Sequence, residues 1–184
     1  FAAYEPYAMG LRDASTWNSF ADSIRKSRLD LYNSYAFVDQ VEQLNSIWPE
    51  YLKTKPDLTK IYYFNEEGIT DSVMGGHGLR LEVAKAIIDS AHASDLQVYC
   101  HIETRDDFAK MVRAGVDGFG HMPGYGWNGD TSTLKQYFLP DSLLLKAAKR
   151  GVVMNPTASL AALRLEGAEL DSAANFQYDL IRRY

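Results

Sequence analysis

Residues 96–121 read LQVYCHIETRDDFAKMVRAGVDGFGH, and their order decides the fold. Leu96-Gln97-Val98-Tyr99-Cys100-His101 is short and rich in apolar and aromatic residues, as a strand is. Thr104 then reads as a helix N-cap, with Asp106 and Asp107 in the first turn, where the helix dipole favours carboxylates. Phe108, Met111 and Val112 recur at helical spacing and give this helix an apolar side. Gly115 reads as its left-handed cap. Val116-Asp117-Gly118-Phe119-Gly120-His121 returns to strand character. Both strands end in histidine.

The same alternation extends outward. Upstream, Thr59-Lys60-Ile61-Tyr62-Tyr63-Phe64 predicts a strand, Asn65-Glu66-Glu67-Gly68 a turn, and Leu79 to Ser94 a helix with Val83, Ala84, Ile87, Ile88 and Ala91 on its buried side. Downstream, Pro123 to Gly129 is a glycine-rich loop. Asp141 to Arg150 predicts a helix stopped by Gly151, and Val152-Val153-Met154-Asn155 a further strand. Residues 1–55 are less regular: Phe1 to Met9 predicts a strand with its exit loop, and Asp13 to Asp30 and Phe37 to Leu52 predict helices, the second interrupted at Pro49. Arg183-Tyr184 reads as the end of a helix, and the chain reads as a piece of something longer. Strands alternating with helices imply parallel strands joined by right-handed crossovers, hence an α/β fold. In such folds chemistry gathers at the carboxyl ends of the strands.

Composition narrows the function. The 184 residues carry a net charge of −5 and are 46 % hydrophobic, a soluble globular balance rather than a disordered one. No apolar run approaches the roughly 20 residues of a membrane span. Lys and Arg cluster only in pairs and triplets, which excludes an electrostatic nucleic-acid binder. A small molecule or short peptide is the expected partner. Cys100 is the only cysteine, so neither a disulfide framework nor a cysteine-based zinc cluster is available, and the cellular compartment stays open. By alternation Cys100 points to the helix side as a small core residue. The glycines form no phosphate-binding motif.

Alternation also places Gln97, Tyr99 and His101 on one face of their strand, with Val98, Cys100 and Ile102 on the other. In the next strand Asp117, Phe119 and His121 share a face, opposite Gly118 and Gly120. Two imidazoles one βα unit apart thus converge at one end of the sheet, where nitrogen ligands on neighbouring strands can hold a divalent metal. A histidine near a strand end is, however, more often a hydrogen-bonded core or surface group than a ligand, and spacing alone does not settle the matter.

The residues go further than the spacing. Ala91-His92, Val98-Tyr99-Cys100-His101, Ala114-Gly115-Val116-Asp117 and Gly120-His121 together resemble the amidohydrolase superfamily, in its imidazolonepropionase-like and prolidase-like branch, and Asn155-Pro156-Thr157 looks like that branch's strand 7. The resemblance covers roughly residues 56–160 and implies a TIM-type (β/α)8 barrel, here an incomplete portion of about strands 3 to 7, with residues 1–55 as the strand 3 region and 56–184 as strands 4 to 7. It implies that His101 and His121 are metal ligands and places Lys60 where the branch often carries a carboxylated lysine bridging two metals. A lysine in an apolar strand is costly unless its charge is removed or paired, although at an edge strand it can equally snorkel to solvent. The implied cofactor is one or two divalent ions, zinc foremost. The implied reaction is hydrolysis of an amide or other C–N bond, of a cyclic amide or a dipeptide, by a metal-activated water.

The departures from the pattern are as informative. No His-x-His pair occurs in the chain, and the strand 8 aspartate that serves the family as general base falls outside it, so no catalytic residue is assigned and the segment alone is expected to be inactive. Glu103 stands where many members carry a second histidine. Glu103, His77, Tyr125 and Trp127 are candidate substrate contacts, set against a flexible loop for His77 and a packing lid for the two aromatics. His92 reads as structural. The open edges of a partial barrel predict pairing with another copy or cover by the N-terminal helices. A catalytically inert barrel-derived binding or assembly domain is the alternative.

Overall fold

The computed structural model describes residues 2–4, 35–38, 40–64, 78–127, 129–159, 163 and 165–184. They fall into two compact units, residues 1–99 and 100–184.

In the first unit, β1 (Ala2–Tyr4) pairs in parallel with β2 (Tyr35–Phe37) and with β3 (Leu58–Tyr62). A single 3-10 turn (Val41–Gln43) leads into α1 (Leu44–Lys53), and α2 (Leu81–His92) precedes β4, which starts at Gln97. The strand order is β2-β1-β3-β4. The expected strand near the N-terminus is therefore present, whereas the helix expected over Asp13–Asp30 lies outside the described residues.

The helix expected from Phe37 to Leu52 is corrected at its start and at Pro49. Phe37 belongs to β2, in register with Tyr4, because extended Tyr35-Ala36-Phe37 offers β1 its ladder bonds. The helix begins only at Leu44 and runs unbroken through Pro49 to Lys53. Pro49 forfeits just the bond to the Asn45 carbonyl, and both residues are exposed, where water can replace it. Trp48 and Tyr51 hold this helix in place: the Trp48 indole donates to Ser94 Oγ at 3.2 Å, and the Tyr51 hydroxyl lies 2.9 Å from the Leu58 carbonyl and 3.0 Å from Thr59 Oγ1.

The helix expected over Leu79–Ser94 is α2, and its stripe of Val83, Ala84, Ile87, Ile88 and Ala91 is buried as patterned. Val83, Ile87 and Ile88 each contribute about 1.5–3 kcal/mol when fully removed from water, and the two alanines less. Before the helix the chain stays extended against the end of β3, with Gly78 N–H donating to the Phe64 carbonyl at 2.8 Å and Leu79 N–H to the Tyr62 carbonyl at 2.9 Å. A Cβ at Gly78 would stand 2.5 Å from the Phe64 nitrogen, so only glycine allows this approach.

The second unit begins within β4, which ends at His101. It continues with α3 (Arg105–Ala114), β5 (Gly118–Phe119), a 3-10 segment (Thr131–Gln136), α4 (Asp141–Lys149), β6 (Val153–Met154) and α5 (Gly167–Arg183). Gly120 N–H donates to the Cys100 carbonyl at 2.8 Å, and β5 pairs with β6 in parallel. The strands expected over Val116–His121 and Val152–Asn155 are present but shorter. Their rungs are Val153 N–H to the Asp117 carbonyl (2.9 Å) and Asn155 N–H to the Phe119 carbonyl (3.0 Å). Ile102, Phe108, Met111, Phe119, Met122 and Leu139 are fully buried here. Among the described residues no helix is long and apolar enough to cross a membrane.

Candidate functional site

The site is built at the ends of β4 and β5 in the second unit. Along β4 the burial alternates as the sequence predicts, with Val98 and Cys100 fully enclosed, and the strand delivers His101 at its last position, 6 % exposed. Two residues on, Glu103 turns its carboxylate back: Oε1 lies 2.8 Å from His101 Nε2. A carboxylate oxygen accepts, so Nε2 carries a hydrogen, and in the neutral imidazole the lone pair is then on Nδ1.

The start of α3 fixes Glu103 in turn. Thr104 and Asp107 form a reciprocal capping box, with Thr104 Oγ1 accepting from Asp107 N–H at 3.2 Å and Asp107 Oδ2 accepting from Thr104 N–H at 2.9 Å. Asp107 Oδ2 also accepts from the Thr104 hydroxyl at 2.8 Å and from Glu103 N–H at 3.4 Å. Thr104, read as the cap, does cap, and Gly115 closes the helix at φ 107°.

His121 reaches the same place by a different route from the one expected. Phe119 stacks on Phe108 of α3, ring centroids 4.5 Å apart, so it faces the helix and not the side shared by His121. Strand alternation holds only within β5, and Gly120 and His121 lie beyond it as bends. There the His121 ring meets that of His101 at a centroid distance of 4.8 Å, with the planes at 81°. Tyr125 closes the group, stacking on His121 at 4.4 Å and 22° while its hydroxyl donates to Glu103 Oε1 at 3.0 Å.

Two members were not anticipated. Thr157, after β6, brings Oγ1 to 3.2 Å from His121 Nδ1, and its backbone is left-handed at φ 45°. Nothing in the sequence announces that, because β-branched residues avoid this region. Gln177 of α5, 1 % exposed, donates from Nε2 to the Tyr125 carbonyl at 3.2 Å. It is the single polar member of a buried stripe with Ala173 and Leu180, whose burial only the fold reveals.

The remaining predicted residues are placed as follows. Trp127 is 5 % exposed, packed with Ala173 and Phe176, and its indole N–H points to the Asp130 carbonyl and Thr133 Oγ1, both at 3.0 Å. Asp130 accepts from Ser132, whose hydrogen bonds hold that carboxyl below the usual range. Lys60 lies half-buried on β3 in the first unit, its Nζ 5.4 Å from the Tyr62 ring centroid. His92 occupies the last turn of α2. His77 lies outside the described residues.

Chemically, two adjacent imidazoles are borderline-soft nitrogen donors of the kind zinc and similar ions take. Among the described residues they are joined by no third His, Cys, Asp or Glu in a ligand arrangement. The pair fits part of a metal site, and any further ligands have to come from elsewhere.

No protein-family model and no curated protein matches the sequence. Solved structures match the fold. The crystal structure of A. niger ochratoxinase aligns with a TM-score of 0.63 at 13 % identity, over 99 % of this chain and 42 % of that one. A prolidase complexed with N-methylphosphonate-L-proline aligns at 0.59 and 16 % identity, over 100 % and 43 %. An amidohydrolase aligns at 0.53 and 17 %, over 81 % and 35 %. The chain thus has the α/β fold of a portion of these hydrolases and spans less than half the length of each.

Proposed function

We propose that the chain is the middle of a (β/α)8 barrel in a metal-dependent amidohydrolase, strands 3 to 7, whose whole protein hydrolyses an amide or related C–N bond in a small molecule or dipeptide-like substrate. The observation that supports this most is the meeting of two imidazoles from consecutive strand ends, His101 and His121, on a fold shared with a prolidase and an ochratoxinase.

In this reading His101 and His121 hold a divalent ion, zinc foremost. The resemblance adds Lys60 as a carboxylated ligand, while the ring contacts of His101 and His121 belong to the second unit. A bound divalent ion supplies Lewis acidity toward a carbonyl oxygen and toward water. Glu103 orients the His101 ring so that Nδ1 presents its lone pair, the kind of supporting contact that ligating histidines ordinarily have. Tyr125 holds Glu103 with its hydroxyl and covers one face of His121 with its ring, which fixes both donors before a ligand arrives.

Calorimetric titration of the chain with zinc tests the reading. Binding is expected in the wild type and is expected to fall at least about tenfold in His101→Ala and in His121→Ala. Equal binding in all three sinks the assignment of these ligands. Absence of binding throughout is what an incomplete site gives, and metal analysis of the whole protein then separates that case from an inert domain that keeps the barrel for assembly.

A further inference from the structure

The loop after β6 carries a feature that the fold alone does not require. Asn155 N–H donates to the Phe119 carbonyl at 3.0 Å, which ties this loop to β5 two residues before His121. Asn155 Oδ1 then accepts from Thr157 N–H at 3.3 Å, bending the chain back over Pro156. Thr157 comes out of the bend at φ 45°, a conformation that β-branched residues rarely adopt and that glycine or asparagine would take more readily. The result is a hydroxyl held 3.2 Å from His121 Nδ1. Glycine would give this turn without strain but would supply no hydroxyl.

We propose that Thr157 is a positioning residue for His121: its hydroxyl oxygen accepts the Nδ1 hydrogen and fixes the tautomer whose lone pair lies on Nε2, the nitrogen that holds a divalent ion. The proposal rests on the metal-site reading above, since a hydroxyl can either give or take the hydrogen, and a lone pair at Nε2 requires the hydrogen to be at Nδ1. The two histidines are then set in opposite senses. Glu103 takes the hydrogen of His101 at Nε2, and Thr157 takes that of His121 at Nδ1. Each ring offers its other nitrogen, and each is held by a residue that follows its own strand or the neighbouring one.

The test is nitrogen-15 NMR of the His121 ring in the metal-free chain, at a pH where the imidazole is neutral, for wild type, Thr157→Val and Thr157→Ser. Wild type and Thr157→Ser are expected to carry the hydrogen on Nδ1. Thr157→Val, which keeps the shape and loses the hydroxyl, is expected to move it toward Nε2, the tautomer that neutral imidazole prefers in water. In parallel, zinc affinity is expected to fall by about 10- to 100-fold in Thr157→Val and to recover in Thr157→Ser. A wild-type ring protonated on Nε2 overturns the proposal, as does a Thr157→Val ring indistinguishable from wild type. Should Thr157→Val fail to fold, the wild-type assignment still decides. A wild type that shows the expected tautomer, in a whole protein that metal analysis finds to hold no divalent ion, overturns the metal reading and leaves the Thr157–His121 contact standing.

Discussion

The imidazole of His101 stands edge-on to that of His121, ring centroids 4.8 Å apart. On the proposed metal reading two donors so placed act as one chelating unit, and their contributions to ion binding are then not independent. The expected result is that His101→Ala and His121→Ala each weaken zinc binding by at least about tenfold, and that the double variant loses little beyond the worse of the two. Strictly additive losses in a calorimetric cycle would show that the rings bind separately.

Glu103 is the acceptor shared by His101 Nε2 and the Tyr125 hydroxyl. Glu103→Ala leaves both donors without it, one of them on a ring only 6 % exposed, and is expected to cost about 1–3 kcal/mol. Glu103→Gln keeps an oxygen in place and is expected to cost less than half as much. Urea midpoints at unchanged slope measure both. If the two variants are equally unstable, the charge and not the acceptor is what matters.

Gly124 sets where Tyr125 sits. Its φ is 70°, and a Cβ there would stand 3.0 Å from both the Phe176 ring and Tyr137 Cβ. Gly124→Ala therefore adds left-handed strain to a steric conflict and is expected to destabilise by about 1–3 kcal/mol. It should also displace the Tyr125 ring from His121, read as a changed tyrosine environment in near-ultraviolet circular dichroism. An unchanged spectrum and midpoint would mean that α5 yields to the added methyl group.

How much of this was legible in the sequence differs from residue to residue. The capping box was, because Thr104 and Asp107 act within one turn and local chemistry decides them. So was the burial of α2, whose stripe repeats at the helical period. His101 and His121 were found as strand ends, but the expected reason failed for His121: period-2 alternation needs a strand, and β5 spans only Gly118–Phe119. Thr157 and Gln177 were missed because their contacts lie 36 and 52 residues away in sequence. The Phe37–Leu52 helix was misjudged where an extended segment found a ladder partner on β1, which no local propensity encodes.

The carboxyl end of the chain offers a test by pH. Arg183 donates to the Leu139 carbonyl at 2.6 Å and to Asp141 Oδ1 at 2.7 Å, and its guanidinium lies 4.6 Å from the Phe138 ring centroid. Next to it the Tyr184 hydroxyl donates to the Val152 carbonyl, just before β6. Burial pushes the Tyr184 phenol up to about 12. The folded protein thus keeps this proton where an unfolded chain, ionising near pH 10, has lost it. Its contribution to stability is full below about pH 10 and is lost as the pH rises through the folded value. Burial shifts Tyr51 in the same direction in the first unit. Urea midpoints taken between about pH 8 and pH 11 are expected to fall in the wild type and to fall less steeply in Tyr184→Phe, with Tyr51→Phe flattening the curve further. Tyr184→Phe should itself cost about 1 kcal/mol at neutral pH, the worth of one hydrogen bond. A Tyr184→Phe curve parallel to wild type across this range would show that the phenol is as accessible to solvent in the folded state as in the unfolded one.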